Sequence, residues 1–177
     1  ILASTSPRRK ELLQQIGIEF SQLSINIDEQ LKENEDATDY VLRLAKEKSE
    51  AGFNALTNQQ RINSLVLAAD TTVVCDGLIL AKPESLDDSQ RILGQLSGRE
   101  HQVQTAIGLF GHDICIQKVV TTQVKFRELT ETEIEKYRQQ ASSKKAEADF
   151  WKRDRKTLER QILEKDNTIK KQSEELS

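Results

Sequence analysis

Leu65-Val66-Leu67-Ala68-Ala69-Asp70-Thr71-Thr72-Val73-Val74-Cys75-Asp76-Gly77-Leu78-Ile79-Leu80 is the stretch that decides the fold class of this 177-residue chain. Its first five residues form a short apolar run, the pattern of a buried strand, and the run ends at Asp70. Thr71 to Val74 continues in residues that favour extended backbone. Asp76-Gly77, set between two apolar runs, is a strong hairpin signal, so Leu78-Ile79-Leu80 is expected to return as a second strand.

Towards the N-terminus, Ile1-Leu2-Ala3 reads as the end of a strand running into Ser4-Thr5-Ser6-Pro7. The chain contains no Met, and this opening reads as trimmed inside or just before a first strand. Ser6 suits an N-cap, and Pro7 suits the first helical position, where its missing N–H would be unpaired anyway. Leu12, Leu13 and Ile16 give an apolar stripe at helical spacing, closed by Gly17. Phe20 to Ile27 alternates loosely as a strand would. A helix is predicted from about Asp36 to Ala51, with Tyr40, Val41, Leu44 and Ala45 on one face.

Towards the C-terminus, Ser85 with Asp88 makes a capping-box-like start for a helix reaching about Leu96. Ser97-Gly98-Arg99 turns the chain into a strand over His101–Phe110, and Ile114–Phe126 is expected to supply another strand pair. Thr130 with Glu133 is a second capping box, opening a helix through Ile134 and Tyr137. Strands alternating with helices predict an α/β fold, a mixed sheet with flanking helices.

From Arg138 the texture changes. The last Pro is Pro83 and the last Gly is Gly111, and residues 138–177 form a charged tail rich in helix-compatible residues. Trp151, Arg155, Leu158, Ile162, Lys165, Ile169, Gln172 and Leu176 fall on an alternating four-three spacing. Five of the eight are apolar, so the tail is read as a long helix able to form a weak coiled coil, with a homo-oligomer as one consequence.

Charge excludes one large class of function. Residues 141–177 hold ten Lys/Arg against eight Asp/Glu, which leaves 16 basic and 21 acidic side chains in the remainder of the chain. Neither part has the basic bias of a nucleic-acid binder, so any anion site must be a local cluster of cations. Cys75 and Cys115 lie in apolar, strand-like surroundings with no ligand spacing and are expected to be reduced core residues, which favours a cytoplasmic protein. No apolar run approaches the roughly 20 residues that span a bilayer, and no secretory signal is visible. His101 and His112 have no partner at metal or triad spacing. The chain has no P-loop and no dinucleotide-binding glycine motif.

Ser4-Thr5-Ser6-Pro7-Arg8-Arg9-Lys10 is the most informative polar stretch. Free N–H groups and the positive end of a helix favour an anion, and arginine adds a planar fork that suits phosphate oxygens. Helices ordinarily place acidic residues in that turn, so cations there oppose the dipole unless something negative binds. The bland alternative is a capped surface helix with chance arginines. Asp70, at the expected carboxyl end of a buried strand, stands where α/β sheets usually place ligands, and a carboxylate there can hold Mg²⁺ or orient a water. An aspartate opening a turn is the locally commoner reading. Asp28-Glu29 repeats the pattern, and Lys48 and Lys82 are candidate phosphate partners that singly read as surface charges.

Together these segments resemble the Maf family of nucleoside triphosphate pyrophosphatases. The family's A-S-x-S-P-R-R signature is matched by Ala3-Ser4-Thr5-Ser6-Pro7-Arg8-Arg9, its D-E pair by Asp28-Glu29, and its R-L-A-x-E-K by Arg43-Leu44-Ala45-Lys46-Glu47-Lys48. Its A-D-T-x-V appears as Ala69-Asp70-Thr71-Thr72-Val73 and its K-P as Lys82-Pro83. L-S-G-x-x-H-x-V-x-T-A runs from Leu96 to Ala106, and F-R-x-L-T-x-x-E-I-x-x-Y from Phe126 to Tyr137. The resemblance implies an inosine-triphosphatase-like fold over residues 1–137 and metal-dependent hydrolysis of a nucleoside triphosphate to the monophosphate and pyrophosphate. It implies that Ser6, Arg8, Arg9, Lys48 and Lys82 grip the triphosphate. It implies also that Glu29 and Asp70 hold Mg²⁺ or Mn²⁺, and that Asp70 activates the attacking water.

Arg8 and Thr71 stand where the branch similar to 7-methyl-GTP pyrophosphatases has Trp and Gln, so the chain resembles the dTTP/UTP branch and Thr71 joins the substrate-binding set. The family's E-P-x-D-K-A-G-x-Y-x-I-Q-G segment and the strands after it have no counterpart beyond Tyr137. The domain therefore reads as truncated, the product of a fusion, an aberrant gene or an engineered chimera. A catalytically impaired scaffold with a coiled-coil tail is the alternative function.

Overall fold

The computed structural model describes residues 1–83, 85–137 and 139–140. The tail from 141 to 177, with the helix and partial heptad expected of it, lies outside the described residues. Two units are distinguished, Ile1–Lys82 with Leu96–Glu128, and Pro83–Gln95 with the residues from Leu129 onward.

The first unit is built on a four-stranded sheet: β1 (Val66–Cys75), β2 (Leu78–Leu80), β3 (Glu100–Phe110) and β4 (Cys115–Lys125), in the order β2-β1-β3-β4. Every named pair is antiparallel. Asp76 and Gly77 both take positive φ, 51° and 76°, the geometry of the tight primed turn that matches strand twist, and Cys75 faces Leu78 across it. The second turn falls at residues 111–114, where the Gly111 N–H donates to Ile114 O. Ile114–Phe126 is therefore not a strand pair but one strand, which pairs with β3 along its whole length. Cys115 opens this edge strand and is exposed, contrary to the core position expected of it, whereas Cys75 is buried.

The sheet is mixed only at its margin. Ile1–Ala3 and Phe20–Ile27, both expected as strands, reduce to parallel bridges from Leu2 to Leu67 and to Gln22. Four backbone hydrogen bonds hold them: Leu67 N–H to Ile1 O, Ala3 N–H to Leu67 O, Leu2 N–H to Ser21 O, and Leu23 N–H to Leu2 O. Leu2 thus lies fully buried between two neighbours.

Helix α2 (Ala37–Asn54) carries the core against this sheet. The Asp36 side chain caps it by accepting from the Thr38 and Asp39 N–H groups. Val41, Leu44, Ala45, Ser49, Gly52 and Phe53 form its buried stripe, which extends the helix a turn beyond the predicted Ala51. Val41 and Ala45 pack on Ala106 of β3, and Phe53 packs with Val66 and Ala68 of β1. Removing side chains such as Leu2, Leu44 and Val66 from water stabilises the unit by about 1.5–3 kcal/mol each.

Helix α1 (Pro7–Gln15) ends in a Schellman motif, with Gly17 N–H donating to Gln14 O and Ile18 N–H to Leu13 O. Its apolar stripe is not core: Leu12 and Ile16 are exposed. Helix α3 (Asn58–Arg61) was not predicted, although Thr57 and Gln60 form a full capping box. In the second unit, Ser85 Oγ accepts from the Asp88 N–H at the start of α4 (Leu86–Leu96), and the Thr130–Glu133 capping box forms as predicted ahead of a helical stretch at 131–137. Among the described residues, no helix is long and apolar enough to cross a membrane.

The α2–β3 approach is close enough to exclude a side chain. A Cβ on Gly108 would lie 2.5 Å from Ala45 O and 2.8 Å from Ala45 C, both backbone atoms that cannot rotate away. Gly108→Ala is therefore expected to lower stability by about 1–3 kcal/mol, read from the urea midpoint. An unchanged midpoint would mean that α2 can lift from the sheet freely.

Candidate active site

Alternation along β1 puts Val66, Ala68, Asp70, Thr72 and Val74 on its buried face. Asp70 is thus not at a strand end, as expected, but in the middle of a ten-residue strand opposite Ala106. A carboxylate on a buried face needs a partner, because desolvation penalises an unpaired charge. The partner comes from α2. Lys48 stands one turn beyond Leu44 on the sheet-facing stripe, and its Nζ lies 2.6 Å from Asp70 Oδ1 and 2.6 Å from Glu29 Oε1.

Glu29 sits in the irregular segment ahead of α2, where Tyr40 Oη donates to its backbone carbonyl at 2.9 Å. Its second carboxylate oxygen is 2.8 Å from Lys82 Nζ, just past β2. Hydrogen bonds from Lys48 first, and then Lys82, hold the Glu29 carboxyl down at about 2, and the Glu29 contact raises Lys82 above the usual lysine value. Burial foremost, and then the charges of Asp70 and Glu29, raise the Tyr40 hydroxyl.

The opposite wall is the start of α1. Ser6 takes the N-cap position, but its hydroxyl makes no capping bond, and the first turn contains no acidic residue. Ser4, not among the residues predicted for the site, organises the loop instead: its Oγ accepts from Ser6 N–H at 3.2 Å and from Arg9 Nη1 at 3.3 Å. Gln22 Nε2 donates to Ser4 O at 3.1 Å, tying the loop to the bridged segment. The helix end therefore presents backbone N–H groups, the Ser6 hydroxyl and one guanidinium to the same space.

That space is a cavity of about 340 Å³ whose walls include Ser6, Arg9, Glu29, Lys48, Asp70, Thr71 and Lys82. Seven of the eight residues predicted for the site are thus brought together. Arg8 is not among them: its guanidinium is largely exposed and turns towards Glu11, 3.9 Å away. A second cavity of about 380 Å³ shares Glu29, Asp70, Thr71 and Lys82, and adds Leu31, Tyr40, Thr72, Ile79 and Leu80. The charged cluster lines both hollows, one polar and basic, the other largely apolar. Thr71 borders each, with its hydroxyl 3.1 Å from that of Thr105.

Glu29 and Asp70 suit a small divalent cation that takes most of its ligands elsewhere. Both carboxylates already face one cationic point, the Lys48 ammonium, at equal distance. Among the described residues, no group of three or more His, Cys, Asp or Glu is placed to hold a metal, so the carboxylates on offer are this pair. Mg²⁺ is commonly bound that way, through one or two carboxylates, with water and substrate phosphates completing its shell.

The model of the Maf family, described as "Maf-like protein", matches residues 1–148, past the Tyr137 at which the motifs stop. The chain is similar to the dTTP/UTP pyrophosphatase of Vibrio parahaemolyticus, 50% identical over 137 residues that cover 77% of this chain and 70% of the relative. It is similar also to that of Hahella chejuensis, 48% identical, covering 77% and 67%. Among solved structures, the Ham1 protein of Staphylococcus aureus aligns with a TM-score of 0.47 and 19% identity over 70% of this chain and 68% of its own, too distant to carry an argument. The chain belongs to the Maf family.

The ion-pair cluster has a pH signature. Glu29, held at about 2 in the folded protein against an ordinary 4.5, adds stability that is complete above its unfolded value and is lost as pH falls towards the folded one. Wild-type protein is therefore expected to exceed Glu29→Gln in urea midpoint at neutral pH, with the gap closing as pH drops below about 4.5. A gap that stays constant through that range would show that Lys48 and Lys82 do not pair with Glu29 in solution.

Proposed function

We propose that this chain hydrolyses nucleoside triphosphates, dTTP and UTP foremost, to the monophosphate and pyrophosphate, with Mg²⁺ or Mn²⁺ as cofactor and in the cytoplasm. The observation that carries this reading is the meeting of two hollows at one cluster of carboxylates and lysines. Ser6, Arg9 and the α1 N-terminus line one hollow and suit the β- and γ-phosphates. Leu31, Tyr40, Ile79 and Leu80 line the other and suit the nucleoside. The bond between the α- and β-phosphates then falls beside Asp70, Glu29, Lys48 and Lys82. The names of the relatives support the same substrate pair.

In this reading, water attacks the α-phosphorus, the bridging oxygen to the β-phosphorus departs, and pyrophosphate is the leaving group. Asp70, buried and rigid in mid-strand, orients the water and accepts its proton. Lys48 and Lys82 turn from the carboxylates to phosphate oxygens, and Arg9 holds the terminal phosphates with two fixed donors. Glu29 and Asp70 would hold the divalent ion, which when bound supplies charge neutralisation of the phosphates. Thr71, at the border of both hollows, contacts the substrate where phosphate gives way to sugar. Chemistry of this kind needs placement and charge more than covalent help.

Pyrophosphate release from dTTP or UTP with Mg²⁺ tests the assignment. Asp70→Asn is expected to lower the rate by about 10²–10⁴, in the range of a lost general base. Release by wild-type protein no faster than by that variant would end the reading. The two arginines are expected to separate: Arg9→Ala raises KM by about tenfold, as loss of a charge-assisted hydrogen bond does, whereas Arg8→Ala changes it by less than about threefold. Equal losses would mean that Arg8 swings into the cavity when substrate binds.

A further inference from the structure

We propose that Lys48 is an internal counter-ion that makes the site take a divalent cation and a polyphosphate as one unit, and reject either alone. This rests on the reaction proposed above and adds a rule for how its substrate enters.

The Lys48 side chain is 12% exposed, and its ammonium bridges two carboxylates at 2.6 Å each. A cation arriving alone must displace it from the point where both carboxylates converge. The displaced ammonium would then face Arg9 and Lys82, which line the same cavity and repel it. A polyphosphate arriving alone meets the converse problem. It draws Lys48 and Lys82 away, and so leaves Asp70, a buried carboxylate, unpaired beside anionic oxygens. When both arrive, the lysines pass to the phosphates while the cation takes the carboxylates, and no charge is stranded. Binding of each partner is then coupled to the other, and by linkage the coupling is reciprocal.

Lys82 provides the internal contrast. Among the described residues its ammonium pairs with Glu29 and not with Asp70, and its side chain is 81% exposed, so displacing it strands no buried charge. If Lys48 acts by occupying the convergence point, neutralising Lys48 must change cation binding far more than neutralising Lys82. A general effect of nearby positive charge would change both alike.

The experiment is a Mn²⁺ titration of the full chain without nucleotide, followed through loss of the free-ion electron paramagnetic resonance signal. Lys48→Gln is expected to bind Mn²⁺ on the order of tenfold more tightly than wild type, and Lys82→Gln within about twofold of it. Adding the α,β-methylene analogue of dTTP is expected to tighten Mn²⁺ binding to wild type on the order of tenfold, after correction for the Mn²⁺–analogue complex, and to add little in Lys48→Gln. Lys48→Gln that binds Mn²⁺ no more tightly than wild type, or two variants that tighten equally, overturns the proposal. Should Lys48→Gln not fold, the wild-type titration decides: Mn²⁺ affinity indifferent to the analogue overturns it. Wild-type protein that releases pyrophosphate from dTTP yet shows no coupling loses this inference and keeps the reaction. Coupled binding without pyrophosphate release does the reverse.

Discussion

One ammonium group shared by two carboxylates organises this molecule. Asp70 lies on the buried face of β1, where an unpaired charge would oppose folding, and Lys48 is the side chain that answers it. The answer holds only if α2 lies tight against the sheet. Gly108 of β3 allows that approach by leaving room for the Ala45 carbonyl. The same stripe of α2 that buries Val41, Leu44 and Ala45 aims Lys48 at Asp70. Packing and electrostatics are therefore one constraint here: the apolar face sets the height of the helix, and the height sets the ion pair.

From that pair the rest of the site follows outward. Lys48 reaches on to Glu29, Glu29 to Lys82, and the Glu29 backbone is fixed by Tyr40 from the same helix that carries Lys48. The segment ahead of α2 has no regular structure, so its carboxylate is located by side-chain bonds of this kind. Further along the segment, Arg43 plays a parallel part. It pairs with Glu35 at 2.5 Å and donates to Gln30 O at 3.0 Å, and that pairing foremost holds Glu35 at about 2 and raises Arg43. Two helix-borne cations thus pin a loop that has little apolar surface to bury.

Local signals in the sequence survived where local physics decides the outcome. The Asp76-Gly77 turn, the Thr130–Glu133 capping box and the Gly17 helix stop each depend on a few adjacent residues, and each is found as read. Position along a strand does not depend on neighbours alone. Asp70 read as a strand end because charge usually ends a buried run, but here the strand continues through it, since Lys48, 22 residues earlier, neutralises it. Ser4 and Tyr40 were named without a site role for the same reason: their roles lie in bonds to Arg9 and to the Glu29 carbonyl, and neither residue type announces such a bond. Arg8 and Arg9 are neighbours of identical chemistry, and only the helical turn of about 100° between them decides which one faces the cavity. Leu12 and Ile16 carried the right spacing for a buried face, but spacing gives a direction and not what lies there.

Every residue of the charged cluster comes from the first unit: α1, the segment ahead of α2, α2 itself, β1 and the exit of β2. Position is therefore inherited from a short chain of contacts, from β3 to α2, from α2 to β1, and from β1 to the bridged Leu2 segment that leads into α1. Leu2 matters in this account beyond its own burial. Its parallel bridge to Leu67 sets where Ala3 and Ser4 leave the sheet, three residues before Asp70 along the neighbouring strand. The cationic helix start and the buried carboxylate thus follow a bridged segment and its neighbouring strand, with backbone hydrogen bonds of 2.8 and 2.9 Å between the two. Loops alone would let opposite charges collapse onto one another. The bridged backbone instead fixes Arg9 and Asp70 separately in the lining of one cavity, so that neither charge has to be cancelled by the other.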